Sequence, residues 1–166
     1  TGRRWQDVLA ERVFVPAGLR SATTSARVLY GDPAAALPYE WKDERWRPAP
    51  RKTDRTMHAA GGMALSLADA GRWLRIQLGL GTVDGHEIFP APMLEAMRVR
   101  EVSLEDHHPI RADQVRTGWS SGWELRDLAG EPMLTHSGTF PGAAAHVSIL
   151  PGRHLGVAVF ANANVP

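Results

Sequence analysis

Three consecutive residues, His136, Ser137 and Gly138, combine groups that can bind and orient a polar ligand. An imidazole and a hydroxyl can each donate or accept a hydrogen bond, and a glycine in a strand lets a ligand approach the backbone closely. The tripeptide ends an apolar run, and Pro141-Gly142 then supplies a turn before a second run. The sequence therefore predicts that the tripeptide, and the amide of Thr139 after it, lie on a strand at a sheet edge.

The elements that must position this tripeptide are strands, because the apolar period changes from helical to extended after Gly118. Four segments follow the extended pattern: Trp119 to Leu125, Met133 to His136, Ala144 to Leu150 and Leu155 to Ala161. The third alternates apolar and polar residues, which is typical of a half-buried strand, whereas the fourth is apolar on both faces and is predicted to be central. With Pro151-Gly152 as a turn, we expect an antiparallel meander of three to four strands.

Three segments before the strands have the spacing of apolar residues that is typical of helices. The first begins near Trp5 and is predicted to end at Pro16-Ala17-Gly18. Ser66 is predicted to cap a second, longer helix because Asp69 follows three residues later, and residues 91–98 are predicted to form a third. Packed on one face of the meander, these helices would complete an α+β fold.

Two stretches are predicted to be surface connections. Residues 31–58 contain four prolines among many charges, so we expect a loop with at most short strands. Residues 101–117 are charged and irregular, and they include His107-His108 next to Asp106. Adjacent histidines point to opposite sides of an extended chain, so we expect a solvated loop here rather than a metal site.

The composition favours a folded domain and excludes several classes of protein. The chain has 166 residues and is 43% hydrophobic, which is enough for a core. The net charge is +1, and the 17 Arg and 2 Lys are spread along the chain, so nucleic acid is not an expected partner. Cysteine is absent, which excludes disulfides, thiolate zinc sites and a cysteine nucleophile but leaves the localisation unknown. No apolar run approaches the roughly 20 residues of a membrane-spanning helix.

The segment from Thr135 to Asn164 resembles the third active-site motif of the serine β-lactamase and DD-peptidase superfamily, including its class C-like and esterase-like members. In that superfamily the usual Lys-Thr-Gly is often replaced by His-x-Gly, and His136-Ser137-Gly138 has this form. Ala60-Gly61-Gly62-Met63 is similar to the Ala-Gly-Gly helix start of the same hydrolases, and Val13 to Leu19 is similar to the segment after their second motif. On these residues the chain is identified as a member of that superfamily, with an incomplete β-lactamase/transpeptidase-like fold.

The resemblance implies a serine hydrolase that forms an acyl-enzyme on an amide, ester or lactam. It implies that His136 attracts a substrate carboxylate or supports the proton network, and that Ser137 offers a hydroxyl to the same group. It implies that Gly138 leaves room for substrate and that the amide of Thr139 is one of two donors to the oxyanion. His136, Ser137 and Thr139 are therefore the catalytic candidates and Gly138 the substrate-binding one, and neither a metal nor a cofactor is implied.

The other two motifs of the family are not found in the chain. Its only lysines are Lys42 and Lys52, and neither has a serine three residues before it, so Ser-x-x-Lys is absent. Tyr30-Gly31-Asp32 is the nearest match to Tyr-x-Asn but is interpreted as loop, and Ser66 is interpreted as a helix cap. We therefore expect residues 1–166 to be the C-terminal portion of one β-lactamase-related domain, truncated at both ends. The nucleophile would then lie in a missing N-terminal half, and the isolated chain would be inactive.

Several alternatives stay open at this point. A noncatalytic peptide or cell-wall binding module that keeps the fold is the alternative to an enzyme. Trp41, Trp46 and Trp119 either line an apolar acyl pocket or serve packing. The expected partners are a small-molecule or peptide substrate and the missing half of the domain. An exposed sheet edge with an uncovered apolar face would also favour self-association.

Overall fold

The computed structural model describes residues 2–164, apart from the side chains of residues 105–109 and 164. Within these limits the chain forms two units that alternate along the sequence. The first unit comprises residues 2–73, 138–145 and 160–164, and the second comprises residues 74–137 and 146–159. Several long elements therefore contribute residues to both units.

Helical segments occupy much of the chain before the long strands. They are α1 (Trp5–Leu9), a π-helical turn (Ala10–Phe14), α2 (Val15–Ala17), α3 (Ala26–Gly31), α4 (Leu67–Leu78) and α5 (Ala91–Ala96). The first three are continuous and confirm the predicted first helix, which ends at Gly18 with a φ of +66°. Glycine suits this left-handed conformation because it has no Cβ. The helix α3 was not expected from the sequence, and Tyr30 within it is helical rather than part of a loop.

The described residues form eleven strands in three sheets. The strands are β1 (Tyr39–Lys42), β2 (Arg45–Pro48), β3 (Thr82–Val83), β4 (His86–Glu87), β5 (Val102–Arg111), β6 (Gln114–Ser120), β7 (Trp123–Leu128), β8 (Glu131–Phe140), β9 (Ala143–Leu150), β10 (Leu155–Ala161) and β11 (Ala163–Asn164). The main sheet has six strands in the order β10-β9-β8-β7-β6-β5. A small sheet has the order β11-β1-β2, and β3 pairs with β4.

The main sheet confirms the predicted α+β class and the antiparallel meander. Its spatial order follows the chain order, and strands joined by two-residue connections pair in antiparallel fashion. The predicted number of three to four strands is wrong, because the sheet has six. The short strands β1 and β2 lie within residues 31–58, as expected for that proline-rich stretch.

The two additional strands come from residues 101–117, where an irregular connection was predicted. The many charged side chains of this stretch made it resemble a solvated loop. In the folded chain, charged residues of β6 and β7 instead bond across the sheet, as Arg116 does to Glu124 at 2.8 Å. His107-His108 lies within β5 rather than in a loop, and its side chains lie outside the described residues. The predicted strand 119–125 is in fact divided by a turn, where Gly122 has a φ of +82°.

The strand β10 lies at the end of the main sheet and not in its centre, which corrects the sequence prediction. On one face Gly156 packs closely on Leu74, and Ala158 joins the core. The other face presents Leu155, Val157 and Val159, which are 47%, 46% and 56% exposed. The two apolar faces that suggested a central strand are therefore one packed face and one uncovered face.

The core of the second unit lies between the C-terminal half of α4 and the main sheet. It consists of Leu74, Trp123, Leu125, Leu134 and Ile149, with Leu78, Val147 and Ala158 packed against it. Complete burial of a Leu or Ile side chain stabilises a fold by about 1.5–3 kcal/mol relative to leaving it in water. This core holds β7, β8 and β9 together and so fixes the strand that carries the predicted motif.

Candidate functional site

The predicted motif lies on β8, an interior strand of the main sheet, but β7 pairs with β8 only from Glu131 to Thr135. The segment from His136 onward extends past β7 and so has an open edge on that side, in agreement with the predicted sheet edge. The strand is buried at Met133, Leu134 and Thr135 and is then exposed from His136 through Thr139. A Cβ placed on Gly138 would meet no heavy atom within 4 Å, so open space lies beside the backbone there. The four residues are thus accessible in a row on one strand, while their individual roles stay a prediction.

Thr135 anchors β8 directly before the motif and is only 1% exposed. Its hydroxyl donates to the carbonyl of Val147 at 3.0 Å and lies 2.8 Å from Ser148 Oγ and 3.0 Å from His146 Nε2. His146 Nε2 and Ser148 Oγ are themselves 2.9 Å apart. This shared network ties β8 to β9 at the residue where the motif begins. The sequence placed His146 outside the apolar face but gave no sign of these partners, which depend on strand register.

Lys52, to which the sequence analysis assigned no role, lies beside Phe140 at the end of β8. The ammonium of Lys52 is 4.7 Å from the centroid of the Phe140 ring, within the range of a cation–π contact. The same ammonium donates to the carbonyl of Gly61, and the amide of Lys52 donates to the hydroxyl of Tyr30 at 3.3 Å. The proline-rich loop thus brings one of the two lysines to the end of β8. The sequence distinguished Lys52 only by residue type, because the chain has 2 lysines and 17 arginines.

The start of α4 is fixed by Ser66, Asp69 and Ser21. Ser66 Oγ accepts a hydrogen bond from the amide of Asp69 at 3.2 Å, which confirms the predicted cap. The carboxylate of Asp69 accepts from the amide and the hydroxyl of Ser21 at 2.7 and 2.5 Å. Ser21 Oγ in turn accepts from the amide of Ser66 at 2.8 Å. Ser66 therefore caps a helix, as the sequence indicated.

The charge of Asp69 is stabilised by this network. Burial alone would raise the pKa of the Asp69 carboxyl, because a charged group is less stable away from water. Hydrogen bonds from the hydroxyl and amide of Ser21, and from the amides of Arg20 and Ala22, nevertheless hold that pKa below its ordinary value. The carboxylate stays ionised in the folded chain, and we assign it a structural role.

The three tryptophans proposed for an acyl pocket lie in different units. Trp41 and Trp46 face each other across β1 and β2, with ring centroids 5.3 Å apart and an interplanar angle of 71°. This edge-to-face contact belongs to the first unit. Trp119 belongs to the second unit, where the Arg116 guanidinium lies 5.8 Å from its ring centroid. Packing accounts for these contacts, and an acyl pocket stays a prediction.

In the part of the chain that the structure describes, no group of three or more His, Asp or Glu side chains is placed to hold a metal ion. Over the same part, no helix has both the length and the apolar character needed to cross a membrane.

The described chain thus has an antiparallel sheet packed against a helix, with an exposed polar motif that continues a buried strand segment. The chain belongs to the Beta-lactamase family, which it matches over residues 1–166. This assignment confirms the superfamily that was identified from His136-Ser137-Gly138 and the upstream segments. It also confirms the β-lactamase-related and penicillin-binding-protein-like character of the chain.

Individual proteins are similar to the chain, and the solved structures among them share its fold. Penicillin-binding protein 4 of Amycolatopsis lactamdurans is 27% identical over 168 residues, covering 99% of this chain and 43% of that protein. The octameric penicillin-binding protein homologue from Pyrococcus abyssi superposes with a TM-score of 0.80 at 20% identity, covering 97% of this chain and 34% of the other. The class C β-lactamase from Rhodobacter sphaeroides superposes with a TM-score of 0.68 at 18% identity, covering 99% and 51%. The chain thus spans between 34% and 51% of the length of these proteins.

Proposed function

We propose that the chain is part of a serine hydrolase that transfers the acyl group of an amide, ester or lactam to a serine and then to water. Membership of the Beta-lactamase family supports this reaction type. The observation that carries the proposal is the exposed row from His136 through Thr139 on β8, directly after the anchored Thr135. Side chains and backbone are both open to a ligand at this place.

Each residue of the row has a proposed role. The imidazole of His136 binds a substrate carboxylate or supports the proton network, and the hydroxyl of Ser137 binds the same group. Gly138 leaves space for a substrate that lies along the strand. The amide of Thr139 donates to the oxyanion that forms when the carbonyl is attacked, and removal of one such donor typically lowers turnover by roughly 100- to 1,000-fold.

The attacking serine is proposed to come from residues outside this chain. The sequence has no Ser-x-x-Lys, and Ser66 caps a helix in which Asp69, not a lysine, stands three residues later. This chain would therefore supply the wall of the site that carries the third motif. Lys52 beside Phe140 adds a positive charge to the same wall and would favour a substrate with an acidic group at that end.

A labelling experiment tests where the nucleophile lies. The chain would be produced alone and, in parallel, together with the residues encoded before Thr1, and both would be treated with a fluorophosphonate that acylates active serines. We expect an adduct only in the longer protein, on a serine preceding Thr1, as located by mass spectrometry. An adduct on a serine within residues 1–166 would contradict the proposal. Substrate binding by a longer protein that never labels would favour the noncatalytic binding module.

We also infer that the chain self-associates through β10. The strand ends the main sheet, and Leu155, Val157 and Val159 form an apolar row on its uncovered face. Exposed strand edges and apolar patches are recurrent sites of association.

Light scattering after size-exclusion chromatography is expected to show species larger than one chain, and Val157→Lys is expected to shift them towards the monomer. Val28→Lys, at a valine that is 56% exposed on α3, is the matched control and is expected to leave the distribution unchanged. A wild-type chain that stays monomeric at high concentration would contradict this inference.

A further inference from the structure

A cavity of about 400 Å³ lies within the second unit and is not explained by the proposed reaction. Three arginines line it, Arg98, Arg100 and Arg126, together with the core residues Leu125 and Leu134. Sites for small molecules have volumes of about 300–1,000 Å³ and combine apolar walls with a few polar groups. The cavity has the size and the mixed lining of such a site.

Arg98 carries a buried nitrogen that lacks a hydrogen-bond partner among the described residues. One terminal nitrogen of its guanidinium donates to the carbonyl of Gln77, while its Nε is buried and has no hydrogen-bond partner among the described residues. Burial lowers the pKa of Arg98, and the nearby charge of Glu95 only partly opposes this. A cation that has lost water and lacks a full set of acceptors is stabilised by an anion placed against it.

Gln77, the residue that accepts the hydrogen bond of Arg98, also carries unsatisfied polar atoms. Gln77, whose carbonyl holds Arg98, is 1% exposed, and neither its amide oxygen nor its amide nitrogen has a partner within the described part of the chain. Buried polar groups nearly always have hydrogen-bond partners in folded proteins. Gln77 is not among the residues that line the cavity, so it bears on the site only through the backbone carbonyl that holds Arg98.

The charges around the cavity leave it positive. Glu124 accepts from Arg126 at 2.5 Å and from Arg116 at 2.8 Å, and Gln114 accepts from Arg126 at 2.9 Å. Burial by itself raises the pKa of Glu124, but its hydrogen bonds and charge interactions with these two arginines lower it below the ordinary value. One carboxylate thus serves two guanidinium groups. The charges of Arg98 and Arg100 are not offset by this pair of contacts.

The position of Arg100 is supported by a glycine. A Cβ on Gly118 would lie 2.3 Å from the backbone oxygen of Val102 and 3.0 Å from Arg100 Cδ, so glycine allows β5 to pair here and also leaves room for Arg100. The absence of a side chain therefore lets the stem of Arg100 lie against β6 beside the cavity. This packing limits the freedom of a side chain that would otherwise lose much entropy on binding a ligand.

We propose that this cavity binds a small organic oxyanion, a carboxylate or a phosphate ester with an apolar body. The guanidinium groups of Arg98 and Arg100 hold the oxyanion, because their planar N–H groups match the geometry of two oxygens. Leu125 and Leu134 contact the apolar body. The site uses none of the residues from His136 through Thr139, so it stands independently of the proposed hydrolase activity.

Calorimetric titration tests the site with four probes. Octanoate and octyl phosphate are expected to bind the chain, and the stronger of the two identifies the preferred oxyanion. Octanamide, which has the same apolar body without the charge, and inorganic phosphate, which has the charge without the body, are both expected to bind at least about tenfold more weakly. Equal affinity for octanoate and octanamide, or no heat with either charged probe, would overturn the proposal.

Variants locate the binding. Arg98→Gln and Arg100→Gln are each expected to weaken the preferred probe by at least about tenfold, as loss of a charged hydrogen bond predicts. Arg55→Gln, at an exposed arginine in the first unit, is the matched control and is expected to bind as wild type does. Arg100 is itself exposed, so Arg100→Gln keeps the test informative if Arg98→Gln does not fold. Unchanged affinity in folded Arg98→Gln and Arg100→Gln would refute the assignment.

Discussion

Replacing His136 by alanine is expected to lower kcat/KM of the proposed hydrolase by at least about 100-fold, the usual contribution of a positioned proton-transfer or charged group. The protein to be measured is the chain together with the residues encoded before Thr1. The substrates are a chromogenic ester and a chromogenic cephalosporin, because the sequence does not distinguish ester from lactam. The loss would arise because the imidazole no longer binds the substrate carboxylate or supports the proton network.

The same substitution is expected to leave the stability of the protein almost unchanged. His136 is exposed, and surface substitutions away from special features usually change the free energy of unfolding by less than about 0.5 kcal/mol. The network that holds β8 uses Thr135, His146 and Ser148 and not His136. A large kinetic effect at constant Tm would therefore indicate a direct role in the reaction.

Two further variants separate this role from a general effect of removing a histidine. His136→Lys restores the lysine that is usual at this position in the resembled motif, and we expect it to recover much of the lost kcat/KM. His154→Asn removes a histidine from the turn before β10, where the φ of +50° suits asparagine, and it is expected to behave as wild type. If His136→Ala and His154→Asn were equally active, His136 would not belong to the site.

The sequence predicted the elements that depend on local signals. Ser66 and Asp69 lie three residues apart, so the cap of α4 could be inferred from their types alone. The left-handed Gly18 likewise ends its helix for a reason contained in one residue. The strand that carries His136 followed from an apolar run and a Pro-Gly turn, and the structure places it as expected.

Features that depend on partners distant in sequence could not be predicted. The charges of residues 101–117 suggested a loop, because the contact between Arg116 of β6 and Glu124 of β7 forms only once these strands pair. The position of β10 at the end of the sheet could not be predicted, because the residues of a single strand do not show which of its faces is covered by other elements. Lys52 reaches Phe140 across 88 positions of chain, a contact for which no local signal exists.

Asp69 also depends on a partner that is distant in sequence, and its replacement is expected to have a large effect on stability. Its carboxylate bonds to Ser21, 48 residues earlier, so the sequence identified the residue but not its partner. Asp69→Asn is expected to destabilise the first unit by about 3 kcal/mol, because hydrogen bonds to a buried charged group contribute about 1.5–3 kcal/mol each. Urea unfolding at pH 7 measures the loss in unfolding free energy, and hydrogen exchange of the amides at the start of α4 shows whether the loss is located there.

Asp43→Asn is the matched control for Asp69→Asn. Asp43 pairs with Arg47 at 2.7 Å on the surface, with 63% of its side chain exposed. Exposed ion pairs contribute about 0–1 kcal/mol, and asparagine also tolerates the φ of +51° at this position. We therefore expect Asp43→Asn to unfold close to wild type. Equal unfolding midpoints for Asp69→Asn and Asp43→Asn would show that the network around Ser21 contributes little.

The contribution of Asp69 is also expected to depend on pH in a definite direction. Because the pKa of its carboxyl is lower in the folded chain than in the unfolded chain, the unfolded state binds a proton first as the pH falls. The stabilisation is therefore complete above the unfolded pKa of about 3.9 and is lost as the pH falls through the lower folded value. The difference in unfolding free energy between wild type and Asp69→Asn is expected to be constant from neutral pH to about pH 5 and to shrink below about pH 4. A difference that stayed constant into acid would mean that the ionised carboxylate is not what holds α4 to Ser21.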